Sequence, residues 1–209
     1  MMKTTNKAVM GLAITASLSI ASPAPANDSA YTDLDLDACQ TLAEDPMGVS
    51  LRCAGYGDFP VFFKESDLRQ SVIFGAVDPE LIDGAFESFE AFNHVNTKIE
   101  WRLDNRGRPV AAILRWFIDY PGPDGSSTKA SRGEILVVSK VATENDVGSC
   151  FVALVDAKAN ANANLLARQA ADAEAADFAC GMTEPQWIGA HGDLVSERTF
   201  SWPEGYVVE

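Results

Sequence analysis

Asp33, Asp35, Asp37 and Glu44 form the sharpest chemical pattern in the chain. Their spacing places acids at positions 1, 3, 5 and 12 of a calcium-loop pattern, where hard carboxylate oxygens ligate a divalent cation. Two departures weigh against that loop: Ala38 stands where the sharp turn takes glycine, and Cys39 follows it. The other reading is a solvated helical turn whose acids complement the helix dipole. No cofactor is expected, with calcium at this segment as the alternative. Nucleophilic catalysis needs a base, and the chain offers two histidines, His94 and His191. No G-x-S-x-G elbow accompanies them, and Ser149 adjoins Cys150. Paired carboxylates can hydrolyse glycosides, and Glu100, Asp104, Asp119, Glu134 and Asp156 all fall on or beside expected strands. Aromatic residues offer a binding reading. Tyr56, Phe59, Phe62 and Phe63 surround the turn AGYGD, and Trp101 and Trp116 fall on strands, where alternation points most of them into a core. Arg102 and Arg115 take the opposite register. Tyr56, Phe59, Arg102, Arg115 and His94 are therefore the candidate binding residues.

The elements that must position these groups begin after an address label. Lys3 and Lys7 precede an apolar stretch of 13 residues, 8–20, and Ala24-Pro25-Ala26 sets small residues at the −3 and −1 positions of a cleavage site. The stretch falls short of the ~20 residues that span a bilayer. A signal peptide cleaved after Ala26 and a periplasmic location are expected. The remaining 183 residues carry 14 basic and 30 acidic side chains, so the net charge is 14 − 30 = −16. A charge of that sign disfavours nucleic acids, which are bound by Lys and Arg set against phosphates, and disfavours anionic lipid surfaces. Four cysteines in an oxidising compartment predict two disulfides. Cys39–Cys53 and Cys150–Cys180 are the favoured pairs because each closes a local loop.

Residues 27–31 are expected to be disordered and residues 33–43 to form a short helix, with Leu34, Ala38 and Leu42 at four-residue spacing. Residues 49–53, 59–63 and 68–74 read as a meander of short strands. Residues 79–94, with Leu81, Ile82, Ala85, Phe86, Phe89 and Phe92, read as a surface helix. Strands are expected over 99–103, 110–120, 134–141 and 150–156, and an alanine-rich helix over 158–177, its stripe made by Leu165, Leu166, Ala170 and Ala173. The class is α+β, a largely antiparallel sheet of about six to seven strands with about three helices. Residues 27–191 form one domain, and 192–209 add an edge strand or a tail.

The segments CAGYGDFPVFFKESDLR, FESFEAFNHVNTKIEWRL, ILVVSKV and LLARQAADAEAADFACG resemble a family of exported proteobacterial proteins of unassigned function. The resemblance spans residues 39–190 and implies a single envelope domain, with no catalytic or binding residue to carry over. The residues themselves favour a non-enzymatic periplasmic interaction protein, an inhibitor or immunity type, whose acidic surface engages a basic envelope or secreted partner. Loops at 56–59 or 122–127 are its expected inserting elements. The alternative is a small envelope hydrolase that uses a carboxylate pair, or a carboxylate with His94.

Overall fold

The computed structural model describes residues 1–2, 28–122 and 125–206. Apart from Met1 and Met2, the expected signal segment and its cleavage point lie outside the described residues. The chain runs through β1 (Asp28–Asp33), a 3-10 turn (Leu36–Ala38), β2 (Gln40–Asp45), β3 (Gly48–Tyr56), β4 (Phe59–Ser66) and β5 (Arg69–Gly75). Then come α1 (Pro79–Gly84), β6 (Phe86–Phe89), β7 (Asn93–Leu103), β8 (Pro109–Ile118), β9 (Gly133–Ala142) and β10 (Phe151–Asp156). The chain closes with α2 (Ala163–Glu174), β11 (Gln186–Trp187) and β12 (Arg198–Ser201).

Ten strands form one mixed sheet in the order β1-β7-β8-β9-β5-β4-β3-β2, with β10 on β9 and β11 on β10; β6 and β12 pair separately. One edge of β9 holds β8 over residues 133–140, while its other edge is shared, residues 135–139 pairing with β10 and residues 141–142 running parallel to β5. That shared edge divides the sheet, and the β3–β5 part packs face to face with the β7–β9 part. Leu51, Val61, Phe63, Val72 and Phe74 from one part meet Ile99, Trp101, Leu114, Trp116 and Val137 from the other. Each large apolar side chain buried there contributes about 2 kcal/mol. Trp101 keeps its indole N–H satisfied by donating to Thr32 Oγ1 at 2.8 Å. The opposite face of β8, β9 and β10 carries Ala111, Ile113, Leu136, Val138 and Val155, and α2 covers it. A third cluster, with Phe62, Ile73, Val77 and Leu81, seats α1 on the outer face of β4 and β5.

This architecture corrects the α+β expectation of three helices and six or seven strands. Among the described residues there are twelve strands and two α-helices, so the protein is mostly β. The start expected to be disordered is β1, paired with β7 from Asp28 opposite Leu103 to Asp33 opposite Lys98. The helix expected over 33–43 is instead the end of β1, one 3-10 turn and β2. Its cause is tertiary: the Cys39–Cys53 disulfide lays Gln40 opposite Arg52, and Asp45 accepts from Met47 N at 2.7 Å to turn the chain into β3. The helix expected over 79–94 stops at Gly84. Phe86 and Phe89, which read as helical neighbours, lie on β6, where Glu87 and Ser88 are also buried. Aromatic residues suit a half-buried pleated surface, and packing overrides the three-residue spacing. The alanine helix is shorter than expected, and Ala163, Ala167, Ala170 and Ala171 are its buried face, with Leu165 52% exposed.

Candidate functional site

Both favoured disulfides are formed, Cys39–Cys53 and Cys150–Cys180. The acids of the calcium pattern are spread over three elements. Asp33 ends β1 and pairs with Lys98 Nζ at 2.5 Å, Asp35 and Asp37 flank and occupy the 3-10 turn, and Glu44 lies on β2 opposite Val49. Among the described residues no group of three or more His, Cys, Asp or Glu side chains converges as a metal site. Tyr56 and Phe59 stand opposite each other where β3 turns into β4 and pack on the rim of the main core, with the Tyr56 ring 6.2 Å from Trp101.

Both candidate arginines are engaged inside the fold. Arg102 is 5% exposed and donates to both oxygens of Asp172 on α2, at 2.8 and 2.7 Å, and to Ser29. Beside it, burial pushes the Glu100 carboxyl up. Hydrogen bonds from Arg168 and Ser29 and the charges of Arg168 and Arg102 outweigh that and hold it below the usual range. Arg115 pairs with Glu134 at 2.8 Å. His94 does meet a carboxylate: its Nδ1 lies 2.6 Å from Asp119 Oδ2, while Arg132 Nε donates to Asp119 Oδ1 at 3.0 Å. An ionised carboxylate only accepts, so in this contact the imidazole donates through Nδ1. Phe117 stacks on the imidazole at 5.0 Å.

A cleft that sequence reasoning did not assemble lies elsewhere. Its volume is about 790 Å³, and its walls come from four places: the start of α1, the turn at 145–148, residues 176–182 and the tail at 202–206. Four carboxylates line it, Asp78, Glu80, Asp146 and Asp177, against one ammonium, Lys140. Lys140 is already neutralised: buried on β9, it donates to Asp146 Oδ2 at 2.5 Å and to Phe178 O at 2.6 Å. Asp78 caps α1 by accepting from Glu80 N at 2.7 Å. Glu80 and Asp177 are exposed, and no ion pair among the described residues uses them.

The aromatic wall is set by close packing. Trp202 and Tyr206 stack with centroids 5.2 Å apart and planes 6° apart, and Phe178 completes the lining. Trp202 lies on Gly181, where φ is +78° and a methyl group would stand 2.3 Å from its Cζ2. Pro203 rests likewise on Gly84. The Cys150–Cys180 disulfide ties the 176–182 wall to β10. Carboxylates beside aromatic faces attract cations twice over, by charge and by the ring quadrupole. These residues are spread from Asp78 to Tyr206, so no local spacing announces them. The acidic turn TEND at 143–146 and the late Trp202 were the only traces in the sequence.

Comparison with family models, with curated proteins and with solved structures finds no match. No helix of the described residues is long and apolar enough to cross a membrane.

Proposed function

We propose that the chain is an exported, non-enzymatic binding protein whose acidic cleft engages a basic partner, in the manner of an inhibitor or immunity protein. The cleft carries this reading: two exposed carboxylates without an internal cation, Glu80 and Asp177, share one concavity with Trp202 and Tyr206. The overall charge supports it, because an acidic surface speeds encounter with cationic proteins and repels anionic ones. Two formed disulfides fit an oxidising compartment, for which we propose the periplasm.

Calorimetric titration tests the reading with a lysine- and arginine-rich peptide and an acidic control peptide. The basic peptide is expected to bind, more weakly as salt rises, and the acidic one not to bind. The Glu80→Gln/Asp177→Asn double variant is expected to lose about tenfold in affinity, or ~1.4 kcal/mol. Unchanged affinity in that variant would remove the cleft from the account.

The hydrolase alternative draws on one contact, the His94–Asp119 hydrogen bond at 2.6 Å. It predicts turnover of a glycoside or ester substrate that His94→Gln abolishes. A substrate screen in which the purified protein shows no turnover contradicts it.

A further inference from the structure

Beyond the part of the sheet that α2 covers, the same face continues through His94 on β7, Arg115 and Phe117 on β8, and Glu134 on β9, all partly exposed. Cations gather there against the charge of the chain. Arg115 and Arg132 are joined by the exposed Lys129, in the turn that leads to Arg132. Lys158 Nζ is seated on that turn, donating to the carbonyls of Lys129, Ala130 and Arg132 at 3.2, 3.4 and 2.8 Å. Asp119 and Glu134 answer them, and the buried Asp156 close by spends its oxygens on the N–H groups of Lys158, Ala159 and Gly192. Even with Asp156 counted, four permanent cations and His94 stand against three carboxylates, in a chain whose net charge is −14.

Asp119 acts as a bracket for two of these groups. Its own N–H donates to Phe92 O at 2.8 Å, while Oδ2 meets His94 Nδ1 at 2.6 Å and Oδ1 accepts from Arg132 Nε at 3.0 Å. One carboxylate therefore holds one nitrogen of each side chain and leaves the others over. Among the described residues, neither His94 Nε2 nor the two terminal nitrogens of Arg132 has a hydrogen-bond partner. The Phe117 ring backs both groups, 5.0 Å from the imidazole and 5.5 Å from the guanidinium carbon. An aromatic face attracts a cation without taking up its N–H donors. The turn before Arg132 is braced as well, with Arg132 N donating to Thr128 O at 2.9 Å and Thr128 N to Ser131 Oγ at 3.0 Å. The terminal nitrogens of Arg132 form a planar fork, the geometry that matches two oxygens of one anion. Side chains of 38% and 32% exposure, for His94 and Arg132, leave that fork open to a ligand.

We propose that Arg132 and His94, bracketed by Asp119, form a site for a small oxyanion, a carboxylate or phosphate group of a ligand. The anion takes the Arg132 fork, and the imidazolium of His94, which donates from both ring nitrogens, adds its Nε2–H. Lys129, Lys158 and Arg115 supply the surrounding positive field. The acidic remainder of the surface restricts the ligand to a single anionic group, because an extended polyanion would meet repulsion beyond the site. This site is separate from the acidic cleft, and neither depends on the other.

Titration of the whole isotope-labelled protein tests it, with sodium phosphate and sodium acetate in separate arms and sodium chloride at matched ionic strength as the reference. The pH is held at about 6, within the range where histidine takes up its charge. Saturable shifts are expected at the Arg132 Nε–H, the His94 ring and the amides of 117–119 and 128–134. Saturation by phosphate assigns a phosphate group, and saturation by acetate assigns a carboxylate. Arg132→Gln is expected to weaken binding about tenfold or more. Arg132→Lys keeps the charge but loses the fork and is expected to weaken it nearly as far, whereas Lys129→Gln costs only about twofold. Shifts with phosphate and acetate no larger than with chloride overturn the proposal, and so does unchanged affinity in Arg132→Gln. Should Arg132→Gln fail to fold, unchanged affinity in Arg132→Lys overturns it equally.

Discussion

Arg102 combines a guanidinium 5% exposed with a two-pronged contact to Asp172, and joins Ser29, Glu100 and Arg168 in one network between β1, β7 and α2. A buried ion pair contributes little over an apolar substitute, but removing one partner strands the other charge. Arg102→Ala is therefore expected to cost about 3–5 kcal/mol in urea unfolding and to leave basic-peptide affinity of the folded protein unchanged. Glu87 is the opposite case, because its burial favours the neutral acid. A folded-state value of about 7 against an ordinary value of 4.5 means that the stabilisation is complete below pH 4.5 and is lost as pH rises through about 7. The loss amounts to about 3 kcal/mol, at roughly 1.4 kcal/mol for each unit. Denaturant unfolding at pH 5 and pH 8 checks it: Glu87→Gln is expected to remove this part of the pH dependence, and an equal dependence in both proteins contradicts the assignment.

At the scale of elements, the two disulfides hold different things. Cys39–Cys53, 14 residues apart, sets the register of β2 on β3, whereas Cys150–Cys180, 30 residues apart, fixes a wall of the cleft. Loop-closure entropy gives the longer one about 3.7 kcal/mol. A Cys150→Ala/Cys180→Ala variant is expected to lose that order of stability and to bind the basic peptide more weakly, while Cys39→Ala/Cys53→Ala loses stability only. Equal effects on binding would contradict the placement of the cleft. The disulfide pairing was legible because each pair closes a local loop; β3 to β5 were legible as β-prone runs between turn residues, the end of β7 from the alternation of Ile99, Trp101 and Leu103 with Glu100 and Arg102, and β9 and β10 as runs apolar on both faces, which the structure buries on both. Two helices were misread for physical reasons. The four-residue spacing of Leu34, Ala38 and Leu42 is helical, but the disulfide beside it imposes an extended pairing. Phe86, Phe89 and Phe92 mimic a helix face, yet β6 takes its place from contacts with β5 and from pairing with β12, the latter far off in sequence. The same distance hid the cleft, whose walls meet only after the sheet has folded over.

At the scale of the whole molecule, the excess of acids becomes specific only where the fold gathers it. Most carboxylates are spread over the surface or used internally, as Asp119 is by His94 and Arg132 and Asp172 by Arg102. The cleft is where exposed acids without an internal cation meet an aromatic wall and a concave shape. The most direct measurement is a titration of the isotope-labelled protein with the lysine- and arginine-rich peptide, read as shifts of backbone amide resonances. Saturable shifts are expected, concentrated at residues 78–81, 145–148, 176–182 and 202–206. Shifts scattered over the acidic surface without saturation, or gathered around His94 and Asp119 instead, would contradict the cleft reading.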